Sequence, residues 1–258
     1  MLTTTDAQEL RRFGPPGNQW VLTPTHYDLT RDTIPSLFLK TTSASIKIAP
    51  SLSALLVIDM QNFFLSPRLG RTPKAGLVDS VAKAVDHARK LGMHVIWVNW
   101  GLTEQEVAAG GLPATVERSF AREDGGQGGF GWDLGDGMGR LLMRNTWNAQ
   151  LIDGLEQLPH EQWVHKNRTS GFWGTDGGLK QLLDSMGVRT CFFAGVNADQ
   201  CVMGTLQDAH CIGFDCVLLG DCTATTSPTG ALETVLYNVG RSYGFVVDCT
   251  DFVNATIE

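Results

Sequence analysis

The sequence predicts an α/β fold, a doubly wound parallel sheet flanked by helices, and three observations carry that reading. From Ala54 onward, short apolar runs alternate with longer stretches of helical periodicity, the pattern of strand-helix-strand units. The apolar runs are continuous, so both faces of the sheet are covered. Four helical stretches each stop at a glycine, with a strand pattern following, as expected when a left-handed residue ends a helix.

Taken in order, residues 1–50 stand outside this rhythm. They are rich in Pro, Thr and Ser, with isolated aromatics at Phe13, Trp20 and Tyr27, and are expected to form an arm over the domain or over a neighbouring subunit. The domain proper is expected over 51–258. Its strands are read as Ala54–Asp59, His94–Trp100, Trp163–Lys166, Thr190–Val196, Cys216–Asp221 and Gly244–Cys249. Between them, Val78, Val81, Ala82, Val85, Ala88 and Leu91 recur at three- and four-residue spacing, predicting a helix over Leu77–Leu91 stopped by Gly92. Further helices are expected over Leu179–Met186, Val202–Ile212 and Ala231–Tyr243, stopped by Gly187, Gly213 and Gly244. The Gly-rich connection 101–144, with Phe130 and Trp132, reads equally well as a binding loop or as a surface insertion.

Composition narrows the function classes. A chain of 258 residues that is 43% hydrophobic buries one sizeable core. A net charge of -7 with a pI near 5.3 argues against a phosphate-binding surface, so nucleic acid is not an expected partner. No apolar run approaches the roughly 18 residues of a membrane-spanning helix, and MLTTTDAQELRRFGPP lacks a signal-peptide core. No membrane association is expected, and a cytoplasmic location is the default. The six cysteines, Cys191, Cys201, Cys211, Cys216, Cys222 and Cys249, contain no C-x-x-C pair, which leaves a disulfide scaffold or a structural zinc site without support.

One cysteine stands apart. In AGVNADQCVMGTLQDA, Cys201 follows an apolar strand and opens a helix, where backbone N–H groups and the helix dipole are expected to lower a thiol pKa from about 8.5 toward neutrality. Taken alone, a packing cysteine is an equal reading. However, LLVIDMQNFF sets Asp59 at the carboxyl end of the first domain strand, where open α/β sheets bind ligands, and VHKNRTSGF ends another strand at Lys166. Three strand ends delivering Asp, Lys and Cys to one edge are far more specific than any one of them.

On the elements V-I-D-M-Q-N-F-F, H-K-N-R-T-S-G-F and G-V-x-x-x-x-C-V, the chain from Ala54 to about Asp251 resembles the isochorismatase-like cysteine hydrolases, most of all the ureidoacrylate amidohydrolase branch. The resemblance implies a six-stranded parallel sheet, frequent homo-oligomers and an Asp59-Lys166-Cys201 triad. It also implies a cis peptide between Val196 and Asn197, and an oxyanion hole made by the N–H groups of Asn197 and Cys201. The expected function is cleavage of a C–N bond in a small amide or ureido substrate through a Cys201 acyl-enzyme. Hydrolysis of a vinyl ether, as in family members that lack the cysteine, and a catalytically silent scaffold are the alternatives.

No cofactor and no catalytic metal are expected. Related nicotinamidases carry an Asp-x-His pair after the second strand, where this chain has Asn99-Trp100-Gly101; Asp208 and His210 lie two apart on a helix and point to different faces. Gly126-Gln-Gly128-Gly-Phe-Gly131 matches a dinucleotide fingerprint literally but follows Arg122-Glu123-Asp124 instead of a strand. For the substrate, Phe64, Trp100 and Trp173, with Phe63 and Trp132, are candidates for a partly aromatic pocket. Asn62 and Arg168 are candidates to orient a carboxylate or ureido group.

Overall fold

The structure, a computed structural model, describes residues 10–108, 111–121, 128–174 and 178–258. The first five strands are short: β1 (Arg11–Phe13), β2 (Trp20–Leu22), β3 (Tyr27–Asp28), β4 (Leu37–Leu39) and β5 (Ile46–Ile48), in one sheet ordered β1-β2-β3-β5-β4. Leu37, Leu39, Ile46 and Ile48 alternate with Phe38 and Lys47 and are fully buried, the period-2 signature of a half-buried strand. The sheet is fastened to the main domain through Asp215. Its carboxylate accepts the Trp20 indole N–H at 2.6 Å, the Thr190 hydroxyl at 2.8 Å and both terminal nitrogens of Arg31.

The main sheet contains β6 (Ser53–Ile58), β7 (His94–Trp100), β8 (Gln162–Lys166), β9 (Thr190–Val196), β10 (Asp215–Ala224) and β11 (Phe245–Val247), all parallel and ordered β11-β10-β9-β6-β7-β8. Among the described residues eight α-helices accompany the strands: α1 (Asn62–Leu65), α2 (Leu77–Lys90), α3 (Glu104–Val107), α4 (Ala114–Arg118), α5 (Gly178–Ser185), α6 (Met203–Ile212), α7 (Ala231–Asn238) and α8 (Cys249–Asn254). Two differences from the sequence reading have a local cause. β10 runs on to Ala224 through a register shift against β9 after Leu218. The last strand stops at Val247 because Asp221 accepts the Cys249 N–H at 2.6 Å, turning Cys249 into the first residue of α8.

Both sheet faces are covered, as continuous hydrophobic strands require. On one face Trp97 and Phe192 pack with Val81 and Val85 of α2, Phe252 of α8 and the buried residues of β4 and β5. On the other, Ile96 and Phe193 pack with Leu183 of α5, Leu206 of α6 and Val235 of α7. Among the described residues no helix is long and apolar enough to cross a membrane.

The order of the strands decides where a ligand can sit. The chain starts in the middle at β6, moves outward through β7 to β8, then returns to the opposite side of β6 with β9. Loops leaving β6 and β9 therefore diverge, opening a crevice at their carboxyl ends. The two strands approach closely there. Gly195 has φ +117°, and a Cβ on it would lie 1.9 Å from the Ile58 carbonyl oxygen, so a residue without a side chain is required.

Candidate active site

Asp59 immediately follows β6 at the crevice, in the left-handed region at φ +51°, a conformation that Asp tolerates better than most residues. Its N–H donates to Val98 at 3.0 Å. The side chain is fully buried; Oδ1 accepts the Trp100 N–H at 3.1 Å, and Oδ2 lies 3.0 Å from Lys166 Nζ. Gln61 locks the same strand end, accepting the Trp100 N–H at 3.1 Å and donating to the Trp100 and Ala149 carbonyls at 2.8 and 2.7 Å.

Lys166 comes from the far side of β7. It ends the edge strand β8 directly opposite Trp100, and its stem carries the ammonium over the Trp100 ring, 4.0 Å from the centroid. Nζ donates to the Arg168 and Thr169 carbonyls at 3.1 and 3.3 Å and to Cys201 Sγ at 3.3 Å. Cys201 arrives from β9. After the cis Val196–Asn197 peptide, Ala198–Val202 wind as one π-helical turn ahead of α6, and this places the sulfur beside the ammonium.

The electrostatics differ from the sequence expectation of a thiol lowered toward neutrality. Burial, and next the charge of Asp59, push the Cys201 thiol up to about 12, against the opposing pull of Lys166. At the floor of the cleft the loss of water outweighs the stabilisation that helix dipole and ammonium provide. Burial likewise raises the Asp59 carboxyl above its ordinary range, with Lys166 and hydrogen bonds from Cys201 and Trp100 opposing it. Burial thus favours the neutral thiol over the thiolate and raises the proton affinity of the Asp59 carboxylate beside it. The arrangement can pass a proton from sulfur to carboxylate while the ammonium balances the charge that moves.

Above the three groups lies a cleft of about 670 Å³. Phe63, Phe64, Trp100 and Phe120 form its aromatic walls, and Asn197 and Cys201 also line it. Of the residues proposed from sequence, Phe63, Phe64, Trp100, Asn197 and Cys201 meet here. Asn62, Arg168 and Trp173 do not line it. Asn62 is buried, its amide donating to the Trp147 carbonyl at 2.9 Å. Arg168 turns back onto Asn167 at 2.8 and 3.0 Å, and Trp173, 64% exposed, donates to Asp208 at 2.8 Å; both border an adjacent depression. Trp132 is exposed elsewhere.

Sequence reasoning missed Phe120, Arg71 and the Gln61 lock. Gln61 stands two residues after Asp59, and that spacing at a strand end was the available signal. Phe120 carried none, since the loop brings it in from a distance. The Gly-rich fingerprint lies partly outside the described residues. Among the described residues, no three His, Cys, Asp or Glu side chains gather as a metal-holding group.

The family model described as Isochorismatase domain matches residues 53–248, the whole span that carries Asp59, Lys166 and Cys201. The chain belongs to the isochorismatase family. Within it, the chain is 32% identical over 220 residues to the ureidoacrylate amidohydrolase RutB of Klebsiella pneumoniae, covering 82% of this chain and 89% of that protein. The RutB of Klebsiella variicola is similar to the same extent. Among solved structures, a cysteine hydrolase from Pseudomonas syringae superposes with a TM-score of 0.63 at 22% identity, over 79% of this chain and 92% of that one. An isochorismatase family protein from Desulfovibrio vulgaris gives 0.62 at 25% identity, over 77% and 95%. The isochorismatase-like fold expected from sequence is thus the fold observed. The N-terminal sheet lies outside the matched family span.

Proposed function

We propose that this chain hydrolyses a C–N bond in a small amide or ureido substrate, with Cys201 as nucleophile, Asp59 as proton carrier and Lys166 as their charge partner. The observation that carries this reading is the convergence of Lys166 Nζ on Asp59 Oδ2 at 3.0 Å and on Cys201 Sγ at 3.3 Å, at the floor of the aromatic cleft. Its likeness to two ureidoacrylate amidohydrolases adds the reaction class.

The reaction runs in two halves. Asp59 accepts the thiol proton as Sγ bonds to the substrate carbonyl carbon, and the resulting oxyanion is held by the N–H groups of Asn197 and Cys201. The C–N bond then breaks, and Asp59 returns its proton to the departing nitrogen, leaving a thioester on Cys201. A water molecule attacks that thioester while Asp59 takes its proton. The C–S bond breaks, the acid leaves, and the proton returns to sulfur. Throughout, Lys166 stays charged and compensates the negative charge as it moves between Asp59 and Cys201. Retention of the cysteine favours this chemistry over vinyl ether hydrolysis.

The test is a panel of ureidoacrylate, N-carbamoyl acids, aliphatic amides and aryl amides assayed for released ammonia or amine. At least one is turned over, a thioester on Cys201 appears by intact mass spectrometry, and Cys201→Ala abolishes both. An alanine variant retaining more than about a tenth of kcat would remove Cys201 from the mechanism.

A further inference from the structure

We infer that Arg71 determines specificity, by holding an anionic group at the end of the substrate remote from the scissile C–N bond. This rests on the amide-hydrolase reading and names the substrate class within it: planar amides or ureides that carry a carboxylate.

Among the described residues, Arg71 is the one basic side chain lining the cleft that holds Cys201. It follows the turn after α1 and is fixed in two ways: Nε–H donates to the Phe63 carbonyl at 3.1 Å, and the guanidinium carbon sits 5.1 Å from the Phe63 ring centroid. Both contacts use the inner edge and face of the guanidinium. Among the described residues no carboxylate pairs with it, and its terminal nitrogens, with their fork of donors, take no protein acceptor. A planar, oriented fork of this kind matches a carboxylate through two parallel hydrogen bonds. Among the described residues the cleft has one other charged lining residue, Asp199, whose Oδ1 accepts the Thr225 hydroxyl. The positive pole is therefore at Arg71.

The walls fix the shape of what lies between. Phe63, Phe64, Trp100 and Phe120 bound the space from Arg71 to Cys201, and Phe63 stands edge-on to Phe64 at 5.0 Å between centroids. Flat π surfaces favour a flat body between them. A conjugated or aryl amide with a terminal carboxylate presents its carbonyl to Cys201 and its charge to Arg71 at the same time.

The test separates binding from turnover. Titration calorimetry is run on Cys201→Ser and on Cys201→Ser/Arg71→Gln with two matched pairs: 3-ureidoacrylate against its neutral carboxamide, and 4-ureidobenzoate against 4-ureidobenzamide. In the first variant the acid of at least one pair binds more tightly than its amide, by about 10- to 100-fold. Arg71→Gln removes that preference and leaves the amide unchanged, and Arg71→Lys restores part of it. Equal dissociation constants within both pairs, preference for the amides, or binding by none of the four compounds overturns the inference. In the enzyme with Cys201 intact, Arg71→Gln raises KM for the acid by a similar factor while kcat and the rate of Cys201 alkylation stay unchanged. Acid-selective binding without turnover of any ligand would sink the hydrolase reading while Arg71 stood, whereas turnover without acid selectivity would do the reverse.

Discussion

Replacing Lys166 by methionine removes the ammonium and keeps much of the stem, which isolates the charge of the buried pair. Lys166 and Asp59 are both fully buried, 3.0 Å apart. Without the ammonium, the Asp59 carboxylate keeps the Trp100 N–H and the Cys201 thiol but no counter-charge. Deleting one partner of a buried ion pair costs about 3–5 kcal/mol, and at about 2–4 °C per kcal/mol for a domain of this size the Tm falls by about 6–20 °C. Lys166→Met/Asp59→Asn, which removes both charges, recovers to within about 2 kcal/mol of the parent, since desolvation and attraction largely offset in such pairs. The dependence on pH has a definite sign. Burial holds the folded carboxyl above its ordinary 3.8, and losing Lys166 raises it further. The folded state then binds the proton more tightly than the unfolded chain, so the deficit of the methionine variant is largest above the raised value and shrinks as pH falls through it toward 3.8. Urea melts of parent, single and double variants at pH 7 and pH 5 measure this. A loss below about 1 kcal/mol at pH 7 that is the same at pH 5 and indifferent to Asp59→Asn would show that the Lys166 charge does not hold Asp59 in the folded state.

Three other perturbations probe the site. Alkylation of Cys201 by a small neutral reagent slows as pH falls through the raised Asp59 titration and lacks the ordinary thiol step near 8.5; a simple step there, unaltered by Asp59→Asn, contradicts the proton-sharing pair. Gly195→Ala meets the Ile58 carbonyl at 1.9 Å from a positive φ and destabilises by about 3 kcal/mol or more, so a urea midpoint matching the parent would show that β6 and β9 can separate freely at that point. Dialysis against a strong chelator leaves turnover unchanged, as expected with Asn99-Trp100-Gly101 after β7, and recovery only on adding zinc, iron or manganese would reverse that expectation.

Six strands of the main sheet and four helices could be read in order along the chain, because continuous runs such as LLVID and TCFFAGV can be buried only in a sheet covered on both sides, whereas α1, α3, α4 and α8 are too short to show a period. The sequence also singled out Asp59, Lys166 and Cys201, since each ends a strand pattern or opens a helix pattern. Even the N-terminal sheet left a trace in the alternation of LFL and IKI, although strands of three residues carry too little periodicity to stand above a Pro- and Thr-rich background. Tertiary structure alone decided that β6 and β9 lie side by side and that Lys166 reaches across Trp100 to join them. It reversed the expected direction of the Cys201 pKa, because the sequence displays the helix and the neighbouring charges but not the burial that outweighs them. It exchanged Asn62, Arg168 and Trp173 for Phe120 and Arg71 around the cleft. Residues on loops are brought to a site by the path of the chain between distant elements, and that path is set by packing on the sheet, which no local pattern of residues encodes.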